Sequence, residues 1–167
     1  MLQSYLMKPE EMEIIEKVHG IFKEKGITLS LAESCTGGLI SHMITTLPGA
    51  SEFYKAGIVS YSVEAKREIL GVSHDVIDRK GIVSEAAARE MAERARLITG
   101  SDYSISSTGN LGPGVLEDKE TGLVYIAASS RKHTVARELR LKGSREDNKR
   151  KAAISALQLL LDLVKDE

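Results

Sequence analysis

The chain holds a single cysteine, Cys35, among its 167 residues, so no intramolecular disulfide can form. That usage suits a reducing cytoplasm. Tryptophan is absent and phenylalanine occurs only twice, which leaves few aromatic platforms for stacking single-stranded nucleic acid. The formal net charge is −1. A broad nucleic-acid surface held by counterion release is therefore not expected, although a local basic pocket remains open. No apolar run approaches the roughly 20 residues of a membrane span. Met1-Leu2-Gln3-Ser4 shows no basic leader followed by an apolar stretch, so a secretory signal is not expected and the chain reads as cytoplasmic. Repeats, low-complexity tracts and linkers are missing as well.

What remains is an ordinary globular composition, 42% hydrophobic and 28% charged. The length suffices for one domain with its own core, and the expected domain is 1–167. Pro9, followed by Glu10, Glu11 and Glu13, starts a helix with acids on its positive end. Ile14, Val18 and Ile21 share a face there, joined by Ile15 and Phe22, and Gly26 ends the helix. A strand over 27–33 follows, then a turn, then a helix to about Leu47, stopped by Pro48-Gly49. Residues 56–62 read as a second strand, running into a short helix, 63–70, that carries Lys66. A helical turn over 73–80 precedes an amphipathic helix from Ser84, with Ala88, Met91, Ala95 and Ile98 on one face.

Residues 102–107 form a third strand and 108–114 a glycine-rich loop. The polar stretch 115–121 reads as exposed. Residues 123–129 and 134–141 pair as a hairpin. A long helix from Ser144 turns Ala153, Leu157, Leu160, Leu161 and Val164 inward. This order predicts a three-layer α/β/α sandwich with a mixed, mostly parallel sheet and an antiparallel final pair. Ligands in such sheets bind outside the carboxyl ends of the parallel strands. The turn at 33–38, the Tyr61–Lys66 segment and the 108–114 loop can all meet there.

The richest segment is Ala32-Glu33-Ser34-Cys35-Thr36-Gly37-Gly38. It places a carboxylate, two hydroxyls and a thiol on a strand-to-helix turn, where backbone N–H groups converge. Ser34 is a candidate nucleophile if a base activates it, and otherwise a helix cap. Lys66 can be that base if burial lowers its proton affinity, and otherwise lies on the surface. Cys35 is the rival nucleophile, or a small buried filler. Gly37 and Gly38 offer oxyanion-hole N–H groups, or simply helix-start geometry. His42 follows the turn, while His19, His74 and His133 read as peripheral. None has zinc-ligand spacing, so no metal is expected. The 109–114 loop is a weak candidate for an anion or sugar nest. Arg145 can fork onto a phosphate at the start of the last helix, or belong with Lys142, Lys149, Arg150 and Lys151 to a solvated basic face.

Together these residues resemble the CinA C-terminal domain family, some members of which are nicotinamide mononucleotide deamidases. The likeness runs from about Glu11 to Val164. It is carried by the 32–38 motif, by Gly57-Ile58-Val59-Ser60-Tyr61-Ser62 with Lys66, and by Leu70-Gly71-Val72. Gly81-Ile82-Val83-Ser84, Thr108-Gly109, Gly112-Pro113, Gly143 and Arg145 complete it. The resemblance implies an amidohydrolase that converts nicotinamide mononucleotide to nicotinate mononucleotide and ammonia, serving pyridine-nucleotide salvage. It implies Ser34 as nucleophile, Lys66 as proton shuttle, and Tyr61 as orienter of Lys66 or proton relay. Thr36, Gly37 and Gly38 would hold the oxyanion. Thr108 and Gly109 would line the nucleotide site and Arg145 would meet the phosphate. Glu33 joins that substrate-side set, supporting the turn by hydrogen bonds rather than acting as base.

No cofactor is implied, and the partner is a small mononucleotide rather than nucleic acid or membrane. Self-association is implied only because related domains often self-associate. The chain departs from the family pattern at Asn110-Leu111, where a small apolar pair is usual. It also lacks one glycine after Gly114 and carries Glu120 in place of a proline. The N-terminal domain that CinA proteins often carry has no counterpart here, so a stand-alone form is expected. Two other functions stay open: a non-catalytic nucleotide-binding module of the same fold, and hydrolysis of a different small amide.

Overall fold

The structure is a computed structural model that describes residues 7–114 and 116–167. The leader reading at Met1–Ser4, and Val115 of the 115–121 stretch, lie outside the described residues. The elements run α1 (Pro9–Lys25), β1 (Leu29–Glu33), α2 (Leu39–Thr46), β2 (Tyr54–Val59), α3 (Val63–Glu68), α4 (His74–Lys80), α5 (Glu85–Thr99), β3 (Tyr103–Gly109), β4 (Leu123–Ser129), β5 (Thr134–Arg140) and α6 (Arg145–Asp166). Serine hydroxyls cap four of the helices. Ser62, Ser73, Ser84 and Ser144 each accept an N–H from the first turn of α3, α4, α5 and α6.

The sheet order is β2-β1-β3-β4-β5. β1 pairs in parallel with both β2 and β3, and β3–β4 and β4–β5 are antiparallel. Four of the five strands therefore run one way and only β4 opposes them, an α/β arrangement with a mixed, mostly parallel sheet. The chain leaves β1 for β2 on one side and returns through α3, α4 and α5 to β3 on the other. That reversal opens a crevice at the carboxyl ends of β1 and β3.

Alternation along the strands feeds two cores. Leu29 and Leu31 of β1, Ile105 of β3 and Val124 and Ile126 of β4 pack with α1, α2 and α6. Ala32 and Leu123 pack on the opposite side with Met91 and Ala95 of α5 and with Leu70, Val72 and Ile77. α5 lies close to the sheet because its facing residues are small. Ser104 and Ser106 of β3 each donate to a carbonyl of that helix, Ala92 and Ala88 respectively, at 2.5 Å.

Three expectations need adjusting. Ile98 is 53% exposed. The inward face of α5 instead continues to Thr99, whose hydroxyl meets Ser101 at 3.1 Å. The second strand spans Tyr54–Val59 rather than 56–62, and beyond it the carbonyls of Ser60 and Tyr61 turn to Lys66. His19 is buried rather than peripheral. Its Nε2 lies 2.8 Å from the Ile44 carbonyl and its ring meets Phe53 edge-on.

Gly109 sits where β3 touches β4 most closely. A Cβ there would fall 2.7 Å from the Leu123 oxygen and 2.7 Å from Val124 Cα, both backbone atoms. Gly20, inside α1, has open space around it. Gly109→Ala should therefore destabilise by about 1–3 kcal/mol through overpacking. Gly20→Ala should stabilise by roughly 0.5–1 kcal/mol through helix propensity. Urea unfolding of the two variants beside the parent checks both signs.

Candidate active site

The turn after β1 is organised by one carboxylate. Glu33, fully buried, accepts N–H groups of Gly38 (3.1 Å), Ile40 (3.0 Å) and Ser41 (2.8 Å), together with the hydroxyls of Ser41 (2.7 Å) and Thr36 (2.6 Å). A negative charge on these N–H groups satisfies donors that α2 would otherwise leave orphaned. Gly37 and Gly38, at φ 57° and 95°, supply the left-handed backbone that bends the chain around this carboxylate. Ser34 is clamped by its backbone, its N–H donating to Ser107 O and its carbonyl accepting from Gly37 N–H, each at 3.0 Å. Its side chain is thereby held at the crevice.

Lys66 reaches Ser34 from α3. Its Nζ is 2.8 Å from Ser34 Oγ, 2.8 Å from the Ser60 carbonyl and 3.3 Å from the Tyr61 carbonyl. The side chain has no solvent exposure. Burial lowers its pKa from 10.5 to about 8, against the opposing pull of Cys35 and Glu117. A neutral amine carries two hydrogens and one lone pair. The two carbonyls can occupy both hydrogens, which leaves the lone pair facing the Ser34 hydroxyl. Cys35 is a different case. Burial pushes its thiol up to about 12, although a Ser107 hydrogen bond and the Lys66 charge pull the other way. It is not a ready thiolate.

A cavity of about 390 Å³ opens on Ser34, behind which Lys66 lies buried. Ser34 and Cys35 line it from the turn, Tyr61 and Val63 from the β2–α3 connection, and Ile82 and Val83 from the segment before α5. Thr108 to Leu111, Leu116 and Arg145 complete the lining. Arg145 stands at the first position of α6, where the helix favours negative charge. Its Nη2 donates to the Tyr61 hydroxyl at 3.1 Å and its Nη1 to the Gly112 carbonyl.

The structure thus gathers Ser34, Lys66, Tyr61, Thr108, Gly109 and Arg145 at one place, with changes of role. The Thr36 hydroxyl is engaged by Glu33 and Ser107, Gly38 N–H by Glu33, and Gly37 N–H by Ser34 O. These donors of the expected oxyanion set are consumed in shaping the turn, which leaves the Thr36 backbone N–H, without a backbone acceptor among the described residues. Tyr61 orients Lys66 through its carbonyl. Its phenol, 60% exposed, lies on Arg145, so a proton relay through the phenol does not fit. Glu33 faces the helix and not the cavity. The Thr108 hydroxyl donates to the Ile82 carbonyl at 2.6 Å, fixing the lining rather than offering its proton to a ligand. Among the described residues, no three of His, Cys, Asp and Glu are grouped to hold a metal, and no helix is long and apolar enough to cross a membrane.

Sequence reasoning missed two residues. Asn110 holds its own loop, with Nδ2 on the Gly114 and Lys119 carbonyls and Oδ1 accepting Gly112 N–H. The Asn-x-Gly spacing was its signal, since an Asn side chain commonly bonds the N–H two residues on. Glu117 accepts the N–H groups of Ile82 and Val83. A contact 34 and 35 residues back leaves no local signal.

Glu33→Ala should cost more than about 3 kcal/mol, because it orphans several buried donors at once. Urea denaturation reads that loss, and a cost below about 1 kcal/mol would contradict the capping role.

The CinA C-terminal domain model matches residues 11–164. The CinA-like protein of Geobacter sulfurreducens is 43% identical over 141 residues, covering 84% of this chain and 34% of its own length. The CinA-like protein of Syntrophotalea carbinolica is 39% identical over 160 residues, covering 95% of this chain and 39% of its own. The chain thus spans well under half the length of these curated relatives. Among solved structures, the competence/damage inducible protein CihA from Agrobacterium tumefaciens superposes with a TM-score of 0.91 at 32% identity, covering 95% of this chain and 98% of that one. A CinA superfamily protein from Escherichia coli gives 0.89 at 31% identity, with 95% and 93% covered. With the family model spanning nearly all of the sequence and the fold reproduced in full, this chain belongs to the CinA C-terminal domain family.

Proposed function

We propose that the chain, acting as a single catalytic domain, is an amidohydrolase that converts nicotinamide mononucleotide to nicotinate mononucleotide and ammonia. The observation that carries this reading is the buried Lys66 Nζ at 2.8 Å from Ser34 Oγ, with two backbone carbonyls on the same nitrogen. Such an amine can accept a hydroxyl proton near neutral pH without a histidine.

In the proposed reaction Ser34 Oγ attacks the carboxamide carbon as its proton passes to Lys66. Charge then develops on the carbonyl oxygen. The Cys35 N–H, directly after the nucleophile and without a backbone acceptor among the described residues, is the donor assigned to it. Lys66 next gives its proton to the departing nitrogen, releasing ammonia and leaving an ester on Ser34. Water, deprotonated by the same amine, cleaves that ester and restores the serine. The apolar lining of Val63, Ile82, Val83 and Leu111 suits the pyridine ring. Arg145, at the helix N-terminus, suits the phosphate.

Incubation of the pure protein with nicotinamide mononucleotide should release ammonia, and Ser34→Ala should abolish that release while unfolding at the parent's urea midpoint. Ammonia undiminished in the variant would remove Ser34 from the mechanism. Binding of the mononucleotide without turnover by the parent would favour a nucleotide-binding module instead.

The pH dependence follows from the same pair. Lys66 must be neutral to act as base, and its pKa is lowered to about 8. kcat/KM should therefore rise with pH and level off above about 8. A profile flat from pH 6 to 9 would exclude Lys66 as the base, given the ~1-unit spread of such values.

A further inference from the structure

The loop that departs from the family pattern contains a contact that the chemistry above does not use. Asn110 bolts its base, and Leu116 bridges Lys119 across its tip. Glu117 and Asp118 sit at φ 52° and 55°, a left-handed conformation uncommon among non-glycine residues. Two hydrogen bonds anchor the first of them. Glu117 Oε1 accepts Ile82 N–H at 3.0 Å and Oε2 accepts Val83 N–H at 3.1 Å. Gly81 permits this approach, because a Cβ there would fall 2.6 Å from Glu117 Oε2. From the other side the Ile82 carbonyl accepts the Thr108 hydroxyl. Ile82 and Val83 line the cavity, and so does Leu116, the residue before Glu117.

We infer that Glu117 is a positioning residue, a carboxylate latch that docks the Leu116–Lys119 turn onto the Ile82–Val83 segment and so sets the spacing of the apolar half of the cavity. It acts on substrate affinity and not on bond cleavage. This inference rests on the amidohydrolase reading for the identity of the ligand, but not for the latch itself. The latch also leaves an electrostatic mark. Glu117 on this loop carries a charge that raises the proton affinity of Lys66, whereas Cys35, which faces Lys66 from the turn, is a neutral thiol at the pH where Lys66 titrates. Tyr61 meets Lys66 only through a carbonyl, and Arg145 is engaged by the Tyr61 phenol and by Gly112.

The test begins with amide hydrogen exchange read by NMR. Glu117→Ala should accelerate exchange at Ile82 and Val83 while the β1 and β3 amides stay protected. In a Ser34→Ala background, calorimetric binding of nicotinamide mononucleotide should weaken about tenfold on adding Glu117→Ala, the size expected for losing a charge-assisted hydrogen bond. Glu117→Gln removes the charge, so the midpoint of the Lys66 titration should move to lower pH, and its amide can accept only one of the two N–H groups, so exchange should rise at the other. A merely structural role would not weaken binding while the β1 and β3 amides stay protected.

Unchanged exchange at Ile82 and Val83, or faster exchange with unchanged affinity, would overturn the inference. If Glu117→Ala does not fold, Glu117→Asp keeps the charge but shortens the reach to the Ile82 and Val83 amides by one methylene. It should accelerate exchange at Ile82 and Val83 and weaken binding, and unchanged exchange or unchanged binding would again overturn the inference. If the Ser34→Ala parent binds no mononucleotide, the amidohydrolase reading fails. The exchange rates then still decide whether the latch exists.

Discussion

Removing a lysine amine from water is the constraint on which this site turns. Lys66 has no exposed surface, and an ammonium in that position loses hydration that only protein acceptors can replace. The fold supplies three oxygens, from Ser34, Ser60 and Tyr61. They suffice to hold the side chain in place but not to keep it fully charged, so burial still lowers its proton affinity. In the proposed mechanism the same burial gives the lysine its chemistry. Two of its three partners are backbone carbonyls that cannot yield a proton, and the third is a hydroxyl that can.

Everything nearby serves that contact. β2 breaks off before Ser60 so that two carbonyls turn toward the amine. Ser62 then caps α3 and delivers Lys66 one turn later. On the other side Glu33 gathers the N-terminus of α2, and the Ser107 carbonyl holds the Ser34 backbone. β1 and β2 are parallel neighbours, so Ser34 after one and Lys66 after the other arrive at the same carboxyl edge, where an α/β sheet binds ligands. Arg145 reaches the same edge from α6, which is tied to α1 through the Arg150–Glu11 ion pair at 3.1 Å.

Much of this was legible in the residues. Serine caps, Pro9 and the apolar periodicities marked the helices, and the 32–38 motif marked the turn. What the pattern lacked was direction. The Thr36 hydroxyl and the Gly37 and Gly38 N–H groups are donors, but whether they face substrate or the turn itself depends on the path of the turn, and here they face inward. Tyr61 lies near Lys66 in sequence, yet its phenol swings to a residue 84 positions away. His19 read as peripheral because a polar residue on an amphipathic helix usually is. Its burial depends on Phe53 and the Ile44 carbonyl, both far along the chain. Asn110 and Leu111 replaced a small apolar pair, and the structure turns the first into a clamp for its own loop and buries the second. Contacts across tens of residues are set by packing, and local composition does not encode them.

The central claim is that Lys66 is a base poised near neutrality and not an ordinary lysine. An NMR titration of the selectively labelled Lys66 Cε in the folded protein measures this directly. The account predicts a midpoint of about 8. A midpoint at the ordinary value of 10.5 would mean that the amine stays charged at the pH of the reaction, and would contradict the account.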